Sequence, residues 1–212
     1  APHRSLYPSF VNAADSSNRS AAPGSLMSIV GQPVTAARTG QFSVPVLAAS
    51  ENESQIQIPF EATGSVLPLQ LETNQEKWNL TIPLEERSPT IFIDDGTPML
   101  LDGDSGVLLD AMNPVRSGTR LQILATGLGK VTPHWPSGLA APLENPPVVE
   151  SPVRIMLDGQ ILEASRATLA PGYVGFYIVE VEIPSLVNTG TAELYLEING
   201  QTSNHVRVYI EP

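Results

Sequence analysis

Alternation of apolar and polar positions dominates the chain. In "VEVEIPSLVNTG", Val179, Val181 and Ile183 recur at every second position, Pro184 stops the run, and a Gly closes the turn. The earlier stretch "QIQIPFEATG", from Gln55, repeats the pattern with Ile56, Ile58 and Pro59. A period of two puts the apolar side chains on one face of a β-strand. Aligned at the two Ile-Pro pairs, an offset of 184 − 59 = 125, the copies continue without a gap. Leu69 then meets Leu194, Leu71 meets Leu196, Glu72 meets Glu197, Asn74 meets Asn199, and Asn79 meets Asn204.

Each copy reads strand, turn, strand, hairpin, strand. Asn199-Gly200 inside "LYLEINGQTSNHVRVYIE" is a strong hairpin signal, because both residue types tolerate positive φ; Asn74-Gln75 is its weaker counterpart. Upstream, "PGSLMSIVG" from Pro23 matches "SGTRLQILATG" from Ser117. "VRIMLDG" and "ILEASRATL" add two strands around Asp158-Gly159. The stretch "GKVTPHWPSGLAAPLENPPVVESP", from Gly129, has neither a period of two nor one of 3.6 and predicts an extended surface loop. Short strands at regular spacing, with no helical stripe sustained over three turns, predict an all-β protein. The expected architecture is two tandem immunoglobulin-like β-sandwiches related by internal duplication. Residues 1–14 form an extended arm, 15–90 the first sandwich, 91–111 a linker or turn region, and 112–212 the second sandwich with its Pro-rich loop 129–152. A single larger sandwich explains the matched Asn, Pro and Glu positions less well.

Composition narrows the function. The 212 residues include 20 prolines and 16 glycines, which suit tight turns, and 42% apolar residues, which suit a folded core. A formal charge of −11 repels phosphate backbones and anionic membranes, so nucleic acid is not an expected partner. No apolar run approaches the ~20 residues of a membrane-spanning helix. With no cysteine there is neither a disulfide framework nor a thiolate metal site. The start at Ala1-Pro2 reads as a processed chain or a trimmed piece, and export is the expectation.

Several phrases together resemble one family. They are "FVNAAD…APGSLMSIVG", "SPTIFIDDG", "NPVRSGTRLQILATGLGKVTPHWPSGLAAP", and "SPVRIMLDGQ…LAPGYVGFYIVEVEIP…GQTSNHVRVYI". The chain is similar, over about residues 11 to 212, to the uncharacterised C-terminal domain family first noted in Solibacter and common in acidobacterial proteins. Small departures are Asp15 where Ser is usual, Thr90 where Gly is usual, and Ile178-Val179 for Gln-Val. The resemblance implies a bacterial exported protein with no catalytic residues to transfer.

Three strings look like chemistry and have plainer readings. "DGDSGV", Asp102 to Val107, contains the Gly-Asp-Ser-Gly of trypsin-like proteases, but none of His3, His134 and His205 stands in the matching sequence context. Asp94, Asp95, Asp102, Asp104 and Asp110 are dense enough to raise calcium, yet no distal Glu completes a calcium loop. "TGLGK", Thr126 to Lys130, lacks the first Gly and the Ser or Thr of a phosphate loop. No catalytic, cofactor or metal residues are assigned.

Two interaction features remain. Trp135, flanked by prolines, either stacks on a sugar or a partner protein, or folds back over its own sandwich. The arm "RSLYPSFVNAAD", with Leu6, Tyr7, Phe10 and Val11, either completes its own sheet or adds a strand to a neighbour's. Donation makes a head-to-tail contact, and open head-to-tail contacts build fibres. The expected function is thus a non-enzymatic, secreted or cell-surface structural and protein-interaction module, with self-assembly through the arm. The alternative is a glycan-binding module using the Trp135 loop.

Overall fold

A computed structural model describes residues 7–212, and every regular element in them is a β-strand. The strands form two face-to-face sandwiches whose sheets repeat one another in order. In the first sandwich one sheet runs Ser9–Asn12, Leu26–Val30, Glu53–Gln57, Val46–Ala49. In the second the corresponding order is Leu100–Asp102, Arg120–Thr126, Tyr177–Glu182, Arg166–Leu169, extended by shorter strands at both edges and by Thr90–Ile91. The facing sheets also match: Phe42–Val44, Ala36–Thr39, Val66–Glu72, Lys77–Pro83 against Gln160–Glu163, Arg154–Leu157, Gly190–Ile198, Val206–Glu211. These are two tandem immunoglobulin-like sandwiches built on one duplicated plan.

The repeat extends to single hydrogen bonds. Gly24 N–H donates to Ile58 O at 2.8 Å and Ile58 N–H to Ser25 O at 2.8 Å. In the second copy Gly118 N–H donates to Ile183 O at 2.9 Å and Ile183 N–H to Thr119 O at 2.9 Å. Each Ile therefore spends its N–H before its proline, which has none, ends the ladder. A parallel contact recurs as well, Ala21 against Leu84 and Val115 against Ile210. The turns diverge as their residues require. Asn199 and Gly200 take φ of 50° and 81°. Asn74-Gln75 instead relies on Thr73, whose Oγ1 accepts from Gln75 and Glu76 N–H.

Alternation fills the two cores. Met27, Ile29, Ile56, Leu69 and Leu71 lie in the first, and Leu121, Ile123, Val179, Val181, Leu194 and Leu196 in the second. Each such side chain contributes roughly 1.5–3 kcal/mol through burial. Residues 91–111 carry short strands of their own: Ile93–Asp94 pairs with Thr97–Pro98, and Leu100–Asp102 pairs with Arg120–Thr126. The Pro-rich stretch is tied at both ends, where Val131–Thr132 pairs with Val148–Val149, and in the middle by an Ala141–Pro171 bridge.

Candidate functional site

The arm begins its visible course at exposed Tyr7; Leu6 lies outside the described residues. Ser9–Asn12 pairs antiparallel with Leu26–Val30 of its own sandwich, setting Phe10 opposite Ile29 and Val11 opposite Ser28. Phe10 packs on the first core. Buried Asn12 then fastens the end of the arm, its Nδ2 donating to Thr90 Oγ1 at 3.0 Å and its Oδ1 accepting from Ala14 N–H at 2.9 Å. The arm thus occupies an edge of its own first sheet.

Trp135 is half buried against the second core, and its indole N–H donates to Leu139 O at 3.1 Å. Beside it lies a cleft of about 370 Å³ lined by Phe60, Glu61, Lys130, Thr132, His134 and Glu150. His134 Nε2 stands 3.4 Å from Glu61 Oε1 across the two sandwiches, and its ring meets Phe60 edge-on at 6.5 Å.

The Gly-Asp-Ser-Gly string is a turn. Asp102 Oδ1 accepts from Ser105 Oγ at 2.7 Å, Ser105 N–H at 2.7 Å and Asp104 N–H at 3.1 Å. The Ser105 hydroxyl bond, above all, holds the Asp102 carboxyl below its usual range. Asp104 pairs with Arg120 at 2.8 Å, and Asp110 accepts from Met112 and Asn113 N–H. Asp94 and Asp95 sit at the hairpin joining Ile93–Asp94 to Thr97–Pro98.

Thr126 to Gly129, by contrast, is buried in the seam between sandwiches, with Lys130 emerging at the surface. Thr126 Oγ1 accepts from Leu26 N–H at 3.1 Å and donates to Gly175 O at 2.9 Å. Tyr177 Oη, fully buried, donates to Gly129 O at 2.7 Å. Phe60, carried on the turn after Pro59, inserts into the second core, and its N–H donates to Ser137 Oγ at 3.0 Å. The backbone at Gly24 passes so close to Phe60 that a Cβ there would lie 2.3 Å from its ring. Gly138 N–H donates to Gln57 Oε1, and Asn204 brackets Ile91 by accepting from its N–H at 2.7 Å and donating to its O at 3.0 Å. Sequence periodicity marks none of these as a group, although Thr126, Gly129, Gly175 and Tyr177 stand in the phrases ATGLG and LAPGYVGFY that carry the family resemblance.

Burial raises the Tyr177 pKa far above that of a free tyrosine. A raised folded-state value means this hydroxyl supports the fold fully below the unfolded pKa of about 10, with support declining as pH climbs above it. Tyr177→Phe is therefore expected to lower stability at neutral pH by about 1–3 kcal/mol, since it orphans the Gly129 carbonyl. It should also flatten the loss of stability above about pH 10. Urea unfolding at a series of pH values checks both; equal slopes for wild type and variant would refute the assignment.

No protein-family model and no curated protein matches the chain by sequence. Solved structures are similar in fold alone. A Bacteroides ovatus protein, SGBP-B of a mixed-linkage glucan utilization locus in complex with a mixed-linkage heptasaccharide, is 12% identical, with a TM-score of 0.39 over 99% of this chain and 47% of that one. SGBP-B from a xyloglucan utilization locus of Bacteroides uniformis is 12% identical, with a TM-score of 0.34 over 96% of this chain and 49% of that one. Titin A168169 gives 9% identity and a TM-score of 0.27, covering 97% and 98%. The chain spans about half the length of the first two.

Proposed function

We propose that the protein is a non-enzymatic, extracellular module of a bacterial cell surface or secreted assembly, in which two sandwiches act as one rigid interaction body. The observation that carries this reading is the seam. Neighbouring domains move relative to one another by default. Here a hinge motion would strip Leu26 N–H of its buried Thr126 acceptor and Phe60 N–H of Ser137 Oγ, and would draw the Phe60 ring out of the second core. Orphaning a buried backbone group costs about 1–3 kcal/mol. Rigidity of this kind fixes the spacing between recognition surfaces. The charge of −11 fits a solvated exterior position, and the resemblance to domains of exported proteins fits it as well.

Residual dipolar couplings test the reading. One alignment tensor should fit amides of both sandwiches; two independent tensors would refute it. Self-assembly takes a narrower form than simple strand donation, because Ser9–Asn12 already has a home strand. It would exchange that strand between copies, as domain swapping does. Light scattering after size exclusion reads this directly: loss of an oligomer on deletion of residues 1–14 supports exchange, and a monomer with or without them removes it.

A further inference from the structure

A groove lies on the outer face of the larger sheet of the second sandwich. The Leu143–Pro146 segment of the Pro-rich stretch and Pro171 stand over this face and close one side of the groove, about 390 Å³ in volume. Its floor is set by strand register. Gln122 lies opposite Glu180 and Glu180 opposite Arg166, so three planar polar side chains form one row. Gln122 Nε2 donates to Glu180 Oε1 at 2.8 Å, which fixes both planes and leaves further donor and acceptor positions for a ligand. The adjacent row is Leu124, Ile178 and Thr168, apolar except for the Thr168 hydroxyl.

Along the central strand the same face continues from Glu180 through Ile178 to Phe176, about 13 Å at ~3.3 Å per residue. Phe176 stacks on Phe92 with centroids 4.5 Å apart and planes 19° apart, and Tyr173 meets it edge-on at 5.8 Å, 63% exposed. The surface thus sets a strip of fixed hydrogen-bonding planes beside a strip of aliphatic and aromatic carbon.

Which occupant fits follows from what the groove offers. The backbone beneath it is consumed by ladders on both sides, Arg120–Thr126 and Arg166–Leu169 flanking Tyr177–Glu182, so an extended peptide finds no edge to join. Two carboxylates, Glu144 and Glu180, against one guanidinium, Arg166, disfavour an anionic chain. A pyranose is amphipathic in the matching sense, with hydroxyls around its rim and C–H groups on its faces. We propose that this groove binds a neutral pyranose oligosaccharide, with Gln122, Glu180 and Arg166 on the hydroxyls and the Ile178–Phe176 strip under the ring faces. The proposal rests on the reading of the chain as a binding module and gives that module a ligand class.

The test is an NMR titration of the full chain with cellohexaose, maltohexaose and mannohexaose, with trigalacturonic acid and a lysine-rich peptide as contrasts. At least one neutral hexasaccharide should shift the amides of Gln122, Ile178 and Glu180 saturably, with the millimolar Kd of an open groove. Arg166→Ala, on the solvent face, should weaken that binding about fivefold, the worth of one hydrogen bond, without moving the urea midpoint. Gln122→Ala gives a second, independent variant. The proposal is overturned if none of the three sugars moves these amides, if the shifts gather elsewhere such as around Trp135, if only the charged probes bind, or if neither variant changes affinity. A single alignment tensor for the two sandwiches would survive any of those results, so the two readings fail separately.

Discussion

Gly127→Ala is expected to destabilise the protein by about 3–5 kcal/mol, in the tail of single-substitution effects where a named steric cause is required. A Cβ on this residue would lie 2.0 Å from the backbone carbonyl oxygen of Ser88. That oxygen cannot swing away as a side-chain tip would. The Ser88 and Gly127 backbones are already bonded, Ser88 N–H to Gly127 O at 2.8 Å, and Ser88 leads into the Thr90–Ile91 strand. The residue also holds φ at +77°, where an L side chain carries its own strain. Urea denaturation of the variant reads the loss. A shift under about 1 kcal/mol would mean that the two backbones part easily and the seam is loose.

Thr126→Val should cost about 2–6 kcal/mol although it preserves shape, because it removes a hydroxyl that serves two buried backbone groups at about 1–3 kcal/mol each. The Leu26 amide loses its acceptor and the Gly175 carbonyl its donor, one in each sandwich. The signature distinguishes this from ordinary core damage. Amide exchange should accelerate at Leu26 and at the residues after Gly175 while the inner strands of both sandwiches stay protected. Uniform acceleration across both sandwiches would assign Thr126 to general packing instead.

How much of this was legible in the sequence depends on the distance over which each feature is encoded. Strand faces are local: Val179, Val181 and Ile183 alternate in the text and are all buried. The duplication was legible too, since Ile58-Pro59 and Ile183-Pro184 fill equivalent ladder ends. The seam was not. Thr126 and Leu26 stand 100 positions apart, and Phe60 belongs by sequence to one copy while its ring lies in the other's core. Period-two reasoning says which side of a strand is apolar; it does not say which neighbouring body a turn will meet. "TGLGK" reads locally as a turn that ends its strand, and it does end one at Thr126; that its glycines serve close backbone approach to Ser88 and Glu86 depends on a segment far upstream. Likewise, Trp135 was readable as a conspicuous ring in a proline-rich stretch, but its bond to Leu139 O depends on how the loop curls back. The outer groove is not legible in the sequence because its polar row comes from three strands whose order exists only in the assembled sheet.

Phe60 carries a consequence for how such a chain can be cut and recombined. A fragment beginning after it would inherit a cavity in place of an aromatic ring, and a fragment ending at the first sandwich would expose that ring to water. Breakpoints between the two halves are therefore penalised in both products at once. Gene shuffling that preserves function should carry the two halves together, as a single cassette.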